Sequence, residues 1–347
     1  MAQRVHDEGG RTLASACRAR ARKYHLRVRA FSYQPARSVA DAARMLNQPD
    51  ALPLGGGTDL LVCVQDGLAT PKVVVDLRAI PDSARVQPTT DGGLRIGASA
   101  RIHDLAVDAA ILERFAALAQ ACAAVGSPAL RHMGTIGGNL CQRPRCWYLR
   151  RGFSCFKSGG SSCLAESGEN QYHAVLEGGP CNIVHPSDTA VALLALGASV
   201  EARRGDATRI IPIENFFVLP RDCIDRETAL EPGEFVTTVI LPGAAAGGRQ
   251  LYRKTIQRGA WDFALASIAG VRRADGSVRL ALGGVAPRPW RVPHSIEEDV
   301  ASGGLDEDSV MALAERALYD AKPLSRNGYK VKIAASLLRD AIRELAA

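Results

Sequence analysis

Five cysteines, Cys141, Cys146, Cys155, Cys163 and Cys181, crowd into residues 141–181 of a chain that holds nine in all. Ordinary soluble sequence would place about one there. An intracellular-looking chain has little use for a disulfide framework, so this density points to metal or cluster ligation. Zinc usually takes closely paired cysteines, whereas Cys146, Cys155, Cys163 and Cys181 are spread along what reads as loop. Four thiolates converging from a wrapping loop suit a four-iron cluster, so the spacing favours iron–sulfur over zinc, and Cys141 could exchange with one of the four. Cys17, Cys63, Cys122 and Cys223 are scattered and read as small packed or surface side chains.

The second chemical signal is a pair of glycine turns. Gly55-Gly56-Gly57-Thr58-Asp59 lies between two apolar runs, where small residues let backbone N–H groups approach a ligand closely. It is neither a GxGxxG fingerprint nor a lysine-bearing phosphate loop. Some eighty residues on, Gly134-Thr135-Ile136-Gly137-Gly138-Asn139 repeats the chemistry, with Thr135 and Asn139 adding side-chain donors. Each turn alone is a tight turn; together they could hold the two halves of a pyrophosphate.

No Ser–His–Asp order, zinc-protease helix or paired-carboxylate motif stands out, which leaves hydrolysis unsupported. The formal charge of +7 gathers largely at Arg11, Arg18, Arg20, Arg22, Lys23, Arg27 and Arg29. Beyond them the charges are mixed and no nucleic-acid module is recognisable. No apolar run approaches the roughly 20 residues that cross a bilayer. The opening lacks the apolar centre of a secretory signal, so a cytoplasmic address is the default, or a periplasmic one if a signal-bearing partner carries the chain. Residues 1–28 read as a basic, disordered extension or a product of start-site choice.

The elements that must position these residues read as α+β, without the regular alternation of a doubly wound sheet. Ser38 caps a helix over 38–47, followed by a strand, the first glycine turn, and a helix or strand. VVVDLR at 73–78 and GGLRIGAS at 92–99 are strand-like, and the stretch from Ala100 to Val125 supplies helices. HPSDTAVALLAL begins a helix at Ser187 and Asp188 that runs into a strand, with TRIIPIENFFV and EFVTTVILP adding strands. A domain boundary falls near Gly247, dividing residues 29–247, with an insertion at about 141–182, from a C-terminal sheet followed by helices at 248–347.

The two glycine turns, spaced in this way, resemble the FAD-binding subunit of the xanthine dehydrogenase, or molybdenum hydroxylase, family from about Phe31 onward. The resemblance implies a vanillyl-alcohol-oxidase-type FAD-binding fold in two subdomains plus a C-terminal α+β domain. It implies FAD contacts at Leu54, Gly55, Gly56, Gly57, Thr58, Asp59, Leu60 and Leu61, at Val125, and at Thr135, Ile136, Gly137, Gly138 and Asn139. It also implies roles near the flavin for Asp188, which could equally cap its helix, and for Val236 and Lys254. On the residues alone Lys254 would be a surface lysine; near a flavin it would stabilise negative charge on the reduced form.

The RCWY and CFKSGG stretches with the two later cysteines are similar to an insertion in the flavoprotein subunits of 4-hydroxybenzoyl-CoA reductase and of periplasmic aldehyde oxidoreductase. That likeness implies a 4Fe–4S cluster on Cys146, Cys155, Cys163 and Cys181, with Cys141 spare. Arg143, Arg145, Arg150, Arg151 and Lys157 would offset the charge of a tetrathiolate cluster. Trp147 and Tyr148 would shield it, and His173 and His185 would make structural hydrogen bonds.

The family's division of labour implies a large molybdenum–pterin subunit that oxidises substrate and a small subunit with 2Fe–2S clusters, joined to this one in a heterotrimer or a dimer of heterotrimers. Oxidation of aldehydes to carboxylates is the first expectation and hydroxylation of N-heterocycles the second. A stand-alone flavin oxidase and a metal-binding module without flavin are the alternatives from other classes.

Overall fold

The computed structural model describes residues 28–259 and 261–347. The extension expected at 1–28 therefore lies, except for Val28, outside the described residues. The fold is mixed, with three separate sheets, as the α+β reading expects.

The first sheet is parallel, in the order β1 (Ser32–Pro35), β3 (Val73–Asp76), β2 (Ala51–Leu54). Its central strand, VVVD, is buried throughout, as a strand covered on both faces must be. Between β1 and β2 runs α1 (Val39–Leu46), capped by Ser38, whose side chain accepts from the Asp41 N–H at 3.0 Å. Ala42, Ala43 and Leu46 of α1 pack with Val73, Val75 and Ile80 in a small core. At the end of β2 the first glycine turn leads into α2 (Leu60–Gln65), which settles the helix-or-strand alternative there.

The second sheet is antiparallel, ordered β4 (Val86–Pro88), β5 (Leu94–Gly97), β8 (Phe235–Leu241), β6 (Ser199–Arg204), β7 (Ala207–Pro212). The strand expected through TRIIPIENFFV stops at Pro212. A 3-10 turn over Ile213–Asn215 follows, and it turns Phe216 and Phe217 into the core as an edge-on pair. Sharing a core with this sheet are α3 (Ile102–Val107), α4 (Ala109–Arg114) and α5 (Ala116–Ala123), then α6 (Pro128–Met133), which packs on α3, and α7 (Ile136–Leu140), again in that core. After the short α8 (Trp147–Arg150) and a long loop comes α9 (Asp188–Leu196), every residue of which is buried. A helix apolar on all sides must be sandwiched, and α9 packs on α5 on one side and on the third sheet on the other.

That third sheet is ordered β12 (Trp290–Arg291), β11 (Val278–Gly283), β10 (Ala266–Arg272), β9 (Arg249–Thr255). One face contributes Ala269, Val271 and Ala281 to the main core; the other packs on α12 (Tyr329–Ala346) over a second core shared with α10 (His294–Ser302) and α11 (Glu307–Ala317). Two covered faces explain why ASIAGV in β10 is apolar without alternation. The main core thus runs across Gly247, the position where the sequence suggests a boundary. Among the described residues no helix is long and apolar enough to cross a membrane.

Candidate functional site

The two glycine turns touch. A Cβ on Gly56 would land on the carbonyl of Met133, just before the second turn, and one on Gly55 would collide with the Thr135 hydroxyl. At Gly56 backbone approaches backbone and only glycine fits; at Gly55 the close neighbour is the Thr135 side chain.

The turns differ in what they can offer a ligand. Among the described residues no acceptor takes the backbone N–H groups of Gly56, Gly57 or Thr58, so this turn presents spare donors. The second turn has spent most of its own. Ile136 N–H bonds to Ala100 O and Gly137 N–H to Ala98 O, both at 2.9 Å, and Gly138 N–H bonds to Thr135 Oγ1 at 3.2 Å. Of the side chains expected to add donors, Thr135 caps α7, and Asn139 Oδ1 accepts from Ser187 Oγ at 2.6 Å and Thr189 Oγ1 at 2.8 Å, which leaves the Asn139 Nδ2 donor without an acceptor among the described residues. Ile136 points into the main core.

Asn139 thereby fastens the second turn to the start of α9, where the choice between Ser187 and Asp188 as cap is settled. Ser187 Oγ accepts from Ala190 N–H at 3.1 Å and is the cap. Asp188 is buried and accepts from Tyr252 Oη at 2.7 Å and Lys254 Nζ at 2.8 Å. Lys254 is therefore no surface lysine: its side chain is 7% exposed and also donates to Ala124 O at 3.0 Å. Burial raises the Asp188 carboxyl above its ordinary value, an effect that Lys254 and Tyr252 oppose. Burial, with the Asp188 charge, pushes the Tyr252 hydroxyl well up. Tyr252 was not singled out in the sequence, although it lies two residues from Lys254 on β9 and so on the same face.

A cleft opens over this pair. Thr58, Asp59, Val125, Thr135, Gly138, Asn139, Asp188 and Lys254 line one end. It continues past Pro186 and Phe263 to Cys146, Trp147, Tyr172 and His173. On the other side of the second turn is a groove lined by Gly55, Thr135, Gly137, Gly138 and Val236, so Val236 does not share a wall with Lys254. Leu54 is buried beneath the first turn, Leu60 is half-buried, and Leu61 lies exposed and close to Gly57. The exposed aromatics Trp261 and Phe263, between β9 and β10, border the cleft and were not anticipated.

The basic residues of the insertion are placed differently from the expectation. Asp59 accepts from Arg143 N–H at 2.7 Å, Arg145 Nη1 at 2.5 Å and Arg150 Nη2 at 2.8 Å. Arg143 also pairs with Glu227 at 3.1 Å, and Arg151 is exposed. These arginines bolt the insertion to the first glycine turn instead of surrounding the thiols. Lys157 alone among the basic residues lines the thiol cavity, paired with Glu227 at 2.8 Å.

Cys146, Cys155, Cys163 and Cys181 all line one small cavity, walled by Leu149, Leu164, Ala165 and Ile183. Cys141 is exposed and borders the groove by Val236. Among the described residues no three or more His, Cys, Asp or Glu side chains are set to grip a single metal ion. The neighbouring Cys181 thiol holds Cys163 down to about 5, and the same contact pushes Cys181 up. Burial raises Cys146. Cys146 Sγ lies 3.3 Å from His173 Nε2, and Trp147 and Tyr148 pack around that imidazole. Burial, with the Lys330 charge, holds His173 down at about 4, and burial does the same for His185, which stacks edge-on to Phe217.

Paired glycine turns beside a cleft with a buried lysine–carboxylate pair define a cofactor-binding protein rather than a hydrolase. Residues 29–244 match the FAD binding domain in molybdopterin dehydrogenase, and the chain belongs to that family, as an FAD-binding flavoprotein subunit of molybdenum hydroxylases. It is 35% identical over 327 residues to the aldehyde oxidoreductase FAD-binding subunit PaoB of Escherichia coli (strain K12), covering 91% of this chain and 98% of that one. It is 27% identical over 323 residues to the carbon monoxide dehydrogenase medium chain of Afipia carboxidovorans, covering 90% and 95%. Carbon monoxide dehydrogenase from Hydrogenophaga pseudoflava contains a chain of the same fold, with a TM-score of 0.70 at 24% identity over 91% of this chain and 97% of that one.

Proposed function

We propose that this chain is the electron-transfer subunit of an aldehyde-oxidising molybdenum hydroxylase, holding FAD around its glycine turns and a 4Fe–4S cluster on Cys146, Cys155, Cys163 and Cys181. The observation that carries this reading is that these four thiols, without Cys141, line one cavity, while Cys146 also lines the cleft that begins at the glycine turns. A soft, apolar-walled tetrathiolate site fits a four-iron cluster. The aldehyde assignment is supported by the name of the 35% identical relative.

When bound, FAD supplies an acceptor that takes electrons singly and releases them singly or in pairs. The spare N–H groups of Gly56, Gly57 and Thr58 would hold its phosphate oxygens, as such backbone nests do. Thr135 abuts Gly55 of the first turn, and Asn139 ties the second turn to the start of α9. Lys254, anchored by Asp188 and Ala124 O, sets a cation in the cleft wall where negative charge would develop. Leu54 and Ile136 are buried beneath the turns, Leu60 and Leu61 follow the first turn, and Val236 borders the part of the site beyond the second turn. The first and second sheets correspond to the two subdomains of a vanillyl-alcohol-oxidase-type fold, and the third sheet with α10–α12 to the C-terminal domain.

In this reading a large molybdenum–pterin subunit performs the oxidation and a small 2Fe–2S subunit delivers the electrons. Adding an aldehyde anaerobically to the purified complex should bleach the flavin absorbance, while the isolated chain should not respond. Bleaching of the isolated chain by aldehyde would assign substrate oxidation to this subunit and overturn the proposal.

A further inference from the structure

The cysteine cavity and the cleft meet at Cys146, the thiol that lines both. Beside it His173, 4% exposed, lines the cleft and sets Nε2 3.3 Å from Cys146 Sγ. This is the imidazole's sole polar contact among the described residues, because its Nδ1 is buried without a partner.

The ring is held on several sides. Trp147 and Tyr148 pack on it with centroids at 5.5 and 6.2 Å. The His173 carbonyl accepts from Lys330 Nζ at 2.9 Å and Asn327 Nδ2 at 3.1 Å, both from the segment that begins α12. Lys330 is fully buried, and among the described residues its side chain bonds only to the backbone carbonyls of Tyr172 and His173. A long, costly desolvated lysine is thus spent on fixing the backbone that carries one imidazole.

We propose that His173 is a positioning residue that tunes the cluster end facing the flavin cleft: its Nε2–H donates to the Cys146 sulfur. This rests on the assignment of a 4Fe–4S cluster to the four cysteines. A neutral imidazole has one N–H, and only the tautomer with the proton on Nε2 gives the sulfur a donor. Hydrogen bonds to ligand sulfur favour the more negative, reduced state of a cluster and raise its reduction potential. Of the four thiolates, Cys146 lies nearest the cleft wall, so the device acts on the sulfur through which the cluster faces the flavin.

The test uses the complex with wild-type chain, His173→Phe and His173→Gln, each assayed for iron and flavin and titrated redox-metrically with the cluster followed by electron paramagnetic resonance. Phe keeps the ring packing and removes the donor; Gln restores a donor. At a fixed potential, His173→Phe should lower the reduced-to-oxidised ratio of the cluster about tenfold, about 59 mV for a one-electron couple, and His173→Gln should recover most of it. Retention of four irons with an unchanged potential in His173→Phe would overturn the proposal. Loss of iron from both variants would also overturn it, since His173 would then be needed for assembly. Absence of iron from the wild type would instead remove the cluster assignment on which the proposal stands.

Discussion

The glycine-turn cleft and the cysteine cavity are built on opposite principles. The cleft is made of backbone: its donors are the N–H groups of Gly56, Gly57 and Thr58, and its shape depends on two turns with no room for a Cβ between them. The cavity is made of side chains, four thiols carried on loop, fastened to the rest of the molecule by Asp59 and Glu227 through arginines and a lysine. The cleft should therefore fail when atoms are added and the cavity when sulfur is taken away, each without the other.

The largest effect is expected from adding a methyl group. Gly56→Ala places carbon on the Met133 carbonyl and must part the turns. Flavin content should fall more than about tenfold, since a small misplacement of a preorganised site is costly, while iron content stays near that of the wild type. Equal loss of both would show that the two regions are one cooperative unit. The reciprocal change is Cys155→Ser, which should abolish the iron absorbance and leave flavin bound; Cys141→Ser, at a residue outside the cavity, should leave both. Iron loss in Cys141→Ser would redraw the ligand set.

A smaller effect tests the joint beneath the cleft. Lys254→Met leaves the Asp188 carboxylate buried without its cation, which should destabilise the fold by about 3–5 kcal/mol, read by thermal unfolding. Asp188→Asn in the same background should recover much of that loss. The smallest effect is in pH dependence. His185 is held down to about 4 when folded against 6.5 when unfolded, so the unfolded state binds more protons between those values. Its stability is fully present above pH 6.5 and is lost on acidification toward pH 4, at about 1.4 kcal/mol per unit. His185→Phe should flatten the stability curve over that window by about one proton.

What was legible in the sequence is local. The Ser38 cap, the first glycine turn and the clustering of thiols each depend on neighbours within a few residues, and the structure brings the two turns into contact as their chemistry suggested. What was hidden depends on partners far along the chain. The insertion's arginines read as counter-charges for sulfur because Asp59, some eighty residues earlier, gives no local sign that it will receive them. Lys254 reads as a surface residue until β9 places it beside Asp188, and Glu227 and Tyr252 carry no motif at all. The difference between the two turns was hidden for the same reason. The Ile136 and Gly137 N–H groups of the second are consumed by the carbonyls of Ala100 and Ala98, whose closeness is set by the second sheet.

The central claim is that one chain holds both a flavin and a four-iron centre in adjoining sites. The most direct measurement is an ultraviolet–visible spectrum of anaerobically purified protein, with FAD, iron and acid-labile sulfide assayed on the same sample. About one FAD and four irons per chain is the predicted result. Flavin at full occupancy without iron would contradict it and leave the cysteine cavity a packed pocket.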